Sequence, residues 1–134
     1  MPLTQAMAVA AESYDGQSLA LAAPLAPNLN NSETAFGGSI ATLAITTGWM
    51  LLHLLLEKEG VGHRLVIQKS TVVFQRPIDG DFRAVTRRLT AEQAAAFVDD
   101  VRRKRSAKIV LDISVYSQSR VAATHEGTYV AIAY

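Results

Sequence analysis

Asn28-Leu-Asn-Asn-Ser-Glu-Thr-Ala-Phe-Gly-Gly-Ser39 runs directly into a long apolar segment, Ile40 to Leu56. Physically this is a polar loop, a Gly-Gly step and the start of a buried helix. The first turn of a helix exposes unpaired backbone N–H groups, and the helix dipole adds partial positive charge there. Gly37 and Gly38 let another atom come close to that backbone. The combination suits an anion, or a carbonyl oxygen that turns negative during a reaction.

The helix is expected from about Phe36 to Lys58, ended by Gly60 and Gly62, with Gly60 at the usual C-terminal position. Its apolar run nearly reaches membrane-spanning length. Thr42, Thr46, Thr47 and His53 interrupt it, and the rest of the chain reads as sheet that needs a covering helix. We therefore expect a core helix and no membrane insertion. Gly48 in mid-helix costs about 1 kcal/mol against alanine, which implies close packing against the sheet or a partner helix.

Upstream, Leu3–Ala10 reads as a short helix. Tyr14-Asp-Gly-Gln17 is a turn joining a weak strand around Val9–Tyr14 to a better one at Ser18–Ala23. Pro24 and Pro27 then break regular structure. Downstream, His63 to Gln75 alternates as a long strand, Pro77-Ile-Asp-Gly80 is a turn, and Asp81 to Leu89 is the next strand. Thr90 and Gln93 have capping-box spacing, and Phe97 and Val101 lie four apart, so Thr90 to Lys104 reads as a surface helix. Lys108 to Ser117 is a strand with Ile109, Leu111, Ile113 and Val115 on one face. Arg120 to Tyr134 is the last strand. The order predicts an α+β architecture: one antiparallel sheet wrapped around one long central helix, with a small inserted helix.

The chain's 134 residues fit a single domain over 1–134, and its 49% apolar content supplies a core. A net charge of +1 argues against coating nucleic acid. The absence of cysteine excludes disulfides, thiolate metal sites and a cysteine nucleophile, and it fits a reducing cytoplasm.

Three features together carry a resemblance over nearly the whole chain: Asn28-x-Asn30-x-x-x-Thr34-Ala-Phe-Gly-Gly-Ser39, Gly48-Trp49 in the helix, and Arg76-Pro-Ile-Asp-Gly-Asp-Phe82. They resemble the hotdog fold of thioesterases and acyl dehydratases, and most of all the thioesterase domains also found at the C-terminus of YiiD-type acetyltransferases. The resemblance implies that Gly37 and Gly38 present N–H groups to a thioester carbonyl, with Ser39 beside them. It also implies an active site at a dimer interface. Relatives of the phenylacetyl-CoA thioesterase type carry a histidine before the two glycines and an aspartate seven residues after them. Here Phe36 and Ile45 stand at those positions.

Other candidates carry two readings each. Asn30 and Thr34 orient water or substrate, or they close the loop, with Asn30 bonding its own backbone and Thr34 capping the helix. Thr46 holds a water, or bonds back to its own helix. Glu33 acts as the missing acid, or is only favourable charge near a helix start. The cluster Arg102, Arg103, Arg105 and Lys108 holds the phosphates of coenzyme A, or is a solvated surface. His53 lies on the stripe Thr42, Thr46, Trp49, with Glu57 one turn on. His53, His63 and His125 have no metal spacing, so no metal is expected. His125 and Glu126 fall on opposite faces of a strand.

The expected function is hydrolysis of acyl-CoA or acyl-carrier-protein thioesters by a cytoplasmic homodimer or homotetramer. No cofactor is expected, coenzyme A entering as part of the substrate. The alternative is an acyl-thioester binding domain without turnover.

Overall fold

A computed structural model describes residues 1–134. Ten elements follow in chain order: α1 (Pro2–Ala6), β1 (Ala10–Tyr14), β2 (Leu19–Ala23), a 3-10 turn (Ala26–Asn28), α2 (Gly37–Lys58), β3 (His63–Phe74), β4 (Phe82–Thr86), α3 (Ala91–Lys104), β5 (Ser106–Ser117) and β6 (Arg120–Ala133). The strands form one six-stranded sheet in the order β1-β2-β4-β5-β6-β3. Every pairing is antiparallel. The chain leaves α2 to lay β3 at the far edge, and the last strand fills the gap beside it.

Local chemistry fixes several of these boundaries. Asp15 Oδ1 accepts the N–H groups of Gln17 and Ser18, both at 2.9 Å, which closes the first hairpin. At the end of α2, Gly60 takes a positive φ of 69°, Val61 N–H donates to Leu56 O, and Gly60 N–H donates to Glu57 O. This is a Schellman ending, which satisfies carbonyls the helix would otherwise leave open. The capping box of α3 forms as expected: Gln93 N–H donates to Thr90 Oγ1 at 3.0 Å and Thr90 N–H donates to Gln93 Oε1 at 2.9 Å.

α2 lies across one face of the sheet. Its buried side carries Ile40, Leu43, Ala44, Thr47, Gly48, Leu51, Leu52, Leu55 and Leu56. Each fully buried leucine stabilises the fold by about 1.5–3 kcal/mol. Leu111, Ile113 and Val115 of β5 meet this side, as does Tyr129 of β6. Phe97, Val98 and Val101 dock α3 on the same core. By length and composition α2 alone passes for a membrane span, yet here the sheet covers its apolar side.

Gly48 has a specific cause. A Cβ there would stand 2.3 Å from the Tyr129 hydroxyl oxygen. The Tyr129 ring also leans over Gly127, whose Cβ would stand 2.8 Å from Cε2. Two glycines, one on the helix and one on β6, thus make the slot for a wholly buried tyrosine. Its hydroxyl donates to Ile45 O at 2.8 Å. Burial raises the Tyr129 pKa, which keeps the hydroxyl a donor.

The two sheet edges differ. β1 is five residues long, bulged, and carries Glu12. β3 is twelve residues long, pairs only with β6, and leaves Val66, Val73 and Phe74 exposed. A long apolar edge of this kind is a template for further strand pairing.

Candidate functional site

The loop before α2 is built from its own polar groups. Asn30 Oδ1 accepts the N–H of Ser32 at 2.7 Å and of Thr34 at 3.1 Å, while its amide donates to Thr34 Oγ1 at 2.8 Å. Asn30 and Thr34 are therefore tied to one another, and both close the loop. Thr34 does not cap the helix; the N-cap is Phe36, with no side-chain cap. Glu33 stands at the exposed loop tip with φ 63°.

The rest of the chain holds this loop in place. Phe36 N–H donates to Asn28 O, and Ala35 N–H donates to Ile78 O, both at 2.7 Å. Asn28 is itself buried, its amide donating to Met7 O and Pro24 O. The second motif, Arg76 to Phe82, thus braces the first.

At the helix start, Ser39 and Ile40 N–H groups both donate to Phe36 O. The N–H groups of Gly37 and Gly38 have no partner within the chain. Two aromatic rings frame them. Phe36, 56% exposed, covers Gly38 so closely that a Cβ there would lie 2.3 Å from the ring. Phe74, 54% exposed, lies 3.5 Å from where a Gly37 Cβ would be. The result is a pair of free donors at the positive end of a 22-residue helix, beside exposed apolar surface.

Ser39, Thr42 and Thr46 continue from this point along one stripe of α2. None of their hydroxyls bonds another group of the chain. The expectation that Thr46 bonds back to its own helix does not hold; Thr47 does so instead, donating to Leu43 O at 2.6 Å. Thr46 is buried, and Ile45 is half-buried beside it.

The sequence reading missed one pairing here. Ser70 Oγ lies 2.8 Å from His125 Nε2. His125 faces α2, since Ile113 is its partner across β5 and its ring leans over Gly127 beside Tyr129. Glu126 points the other way, as the alternation predicted. No sequence signal joins Ser70 to His125, which are 55 residues apart. The Nδ1 atom is buried without a partner.

Burial pushes the His125 pKa below its ordinary 6.5, and Asp112 offsets this only partly. The unfolded chain then takes up a proton that the folded chain resists. The resulting stability is complete above about pH 6.5 and is lost as pH falls through the lower folded value. Denaturant midpoints should therefore drop with acidification, and a folded His125→Gln variant should show a shallower drop. Equal slopes would assign the acid sensitivity to other groups.

The basic cluster lies elsewhere. Arg102 donates to Glu59 O at 2.6 Å, just past the C-terminus of α2. Arg103 pairs with Asp99 and Asp100, Lys104 pairs with Asp100, and Arg105 donates to Tyr134 O. Within one chain Arg102 thus stands at the other end of α2 from Gly37, a helix length of about 33 Å away. Of the two readings of this cluster, the ion pairs of Arg103 and Lys104 fit the solvated surface. Near Gly37 a different pair of cations stands free. Arg76 and Arg120 line a surface cavity of about 400 Å³ with Gln75, next in the chain after Phe74. Neither makes an ion pair.

Two of the three histidines come together despite their spacing in the sequence. His53 and His63 meet at 3.0 Å, and Glu57 joins them. His125 stays apart.

The profile of the family described as "Putative thioesterase (yiiD_Cterm)" matches residues 1–133. A crystal structure of a protein of unknown function from Chlorobaculum tepidum TLS is 30% identical, with a TM-score of 0.93 over 98% of this chain and 86% of that one. A "putative thioesterase" from Shewanella oneidensis is 26% identical, with a TM-score of 0.89 over 98% of this chain and 89% of that one. A "probable thioesterase" from Pseudomonas aeruginosa is 22% identical and shares the fold, with a TM-score of 0.86 over 100% of this chain and 89% of that one. With nearly its whole length matched, the chain belongs to the YiiD C-terminal family of thioesterase-type domains and has their hotdog fold.

Proposed function

We propose that this protein hydrolyses an acyl thioester carried on coenzyme A or on acyl-carrier protein. The observation that carries this reading is the pair of unpartnered N–H groups at Gly37 and Gly38, flanked by Phe36 and Phe74. A thioester carbonyl laid there gains negative charge when water attacks its carbon. Fixed donors at a helix start stabilise that charge without having to reorganise. The C–S bond then breaks, the thiol takes a proton, and the acid leaves. Ser39, Thr42 and Thr46 offer free hydroxyls along the same stripe to orient substrate and water. The Ser70–His125 pair supplies an acid–base group on the α2 side of the sheet, which the first four turns of α2 lack.

The open β3 edge supports a homodimer joined along that strand. Arg76 and Arg120 are the free cations at this end of α2, and we assign the carrier's phosphates to them. Charge reversal of both should raise KM for acyl-CoA about tenfold or more, and added salt should weaken wild-type binding. Reversal of Arg103 and Lys104 should leave KM unchanged. A panel of acyl-CoA and acyl-carrier-protein substrates, assayed by thiol release, tests the whole reading. Equal kinetics in the Arg76/Arg120 variant would remove the phosphate contact. An absence of turnover on every thioester would remove hydrolysis.

One observation favours a second reading. Ile45 stands where relatives carry a carboxylate, and α2 has no acid before Glu57. An acyl-thioester binding domain without turnover fits that vacancy. Saturable acyl-CoA binding with no thiol release would select it.

A further inference from the structure

We propose that His53, Glu57 and His63 form a binding site for a zinc-class divalent cation, at the opposite end of α2 from Gly37. His53 and Glu57 lie one turn apart on the last turns of α2, and His63 is the first residue of β3. One ligand atom from each falls within 4.8 Å of the others. His53 Nδ1 and His63 Nε2 are 3.0 Å apart. A tetrahedral ion with bonds of about 2.0–2.1 Å holds two nitrogens roughly 3.3 Å apart, so little movement is required.

The ring nitrogens are already assigned to that purpose. His63 Nδ1 lies 2.8 Å from Val61 O, and a carbonyl can only accept. Nδ1 therefore carries a proton, which in the neutral ring leaves the Nε2 lone pair facing His53. A histidine held through its other nitrogen by a backbone carbonyl is the usual arrangement behind a metal ligand. His53 is fixed as well. Its ring stacks on Trp49 with centroids 4.7 Å apart and an 11° tilt, and Trp49 Nε1 donates to Leu65 O at 2.8 Å. Before an ion binds, His53 Nδ1–H donates to His63. Ion binding moves that proton to Nε2 and frees Nδ1 as a ligand.

Two imidazoles and one carboxylate suit zinc, cobalt or nickel rather than magnesium or calcium, which prefer all-oxygen sites. Zn²⁺ is the occupant we assign, with a water as the fourth ligand. Bound there, it would clamp the end of α2 to the edge strand β3. The site lies about 24 Å along the helix from Gly37. Its success or failure is thus independent of the thioesterase reading.

Trp49 is the chain's only tryptophan and stacks directly on a proposed ligand, so it reports occupancy. The test uses the full chain, treated with chelator and desalted. Titration with ZnCl₂ should give about one ion per chain and raise the melting temperature, while MgCl₂ should do neither. CoCl₂ at the same site should quench Trp49 fluorescence, and zinc should reverse the quenching. Glu57→Gln and His63→Gln each remove one ligand from a half-buried or exposed position, so both variants should fold. Each should weaken Zn²⁺ binding by at least the roughly 10–100-fold that loss of a mere outer-shell partner costs. Binding well below one ion per chain would overturn the site. So would Co²⁺ quenching as strong in both variants as in wild type, because the ion would then lie elsewhere.

Discussion

Gly37→Pro is expected to slow thioester hydrolysis by about 10²–10³-fold while the fold survives, because it deletes one of the two donors proposed for the developing oxyanion. Backbone donors are rarely accessible to mutation, but this position allows it. Gly37 is the first residue of α2, where proline is favoured and its missing N–H breaks no helical bond. The preceding residue, Phe36, already sits at φ −62°, ψ 132°, the extended conformation that a following proline requires. A side chain at Gly37 meets only the Phe74 ring at 3.5 Å, an ordinary contact. Circular dichroism and melting temperature should match wild type. The rate loss should fall on kcat, since the donor acts most strongly on charge that appears after binding. A folded variant with wild-type kcat would show that Gly37 N–H does not face the reacting carbonyl.

Gly48→Ala should destabilise the protein by about 1–3 kcal/mol, against the local preference of the helix. Alanine is the better helix former by about 1 kcal/mol, so an exposed site would gain from the change. The new Cβ would meet the Tyr129 hydroxyl oxygen at 2.3 Å and Cζ at 2.7 Å. Tyr129 cannot retreat, because it is fully buried, leans over Gly127, and donates to Ile45 O. Tyr129→Phe alone should cost about 1 kcal/mol for the lost hydrogen bond. It also removes the nearest colliding atom. In the Tyr129→Phe background, Gly48→Ala should therefore cost less, with a coupling of about 1 kcal/mol in the double-mutant cycle. Additive effects by denaturant unfolding would mean that hydroxyl and methyl do not compete for one space.

The elements and their faces are legible in the chain's own pattern, because they rest on neighbours a few residues apart. Thr90 and Gln93 announced α3, Asp15-Gly16 announced the first hairpin, and Gly60 announced the end of α2. The alternation of Ile109, Leu111, Ile113 and Val115 fixed which side of β5 faces the core. The step from Phe36 to Ser39 announced a helix start with free donors. Gly48 signalled a close approach, although not that Tyr129 makes it. The clusters of side chains depend instead on which distant segments pack together. Antiparallel pairing of β3 with β6 sets Ser70 beside His125. The Schellman turn at Gly60 folds β3 back along α2 and brings His63 to His53 and Glu57. The docking of α3 carries Arg102 to the C-terminal end of α2, away from Gly37, while Arg76 and Arg120 stand without ion pairs nearer to it. Periodicity encodes which face of an element is buried. It does not encode the partner that covers it, and each of these clusters is a consequence of the partner.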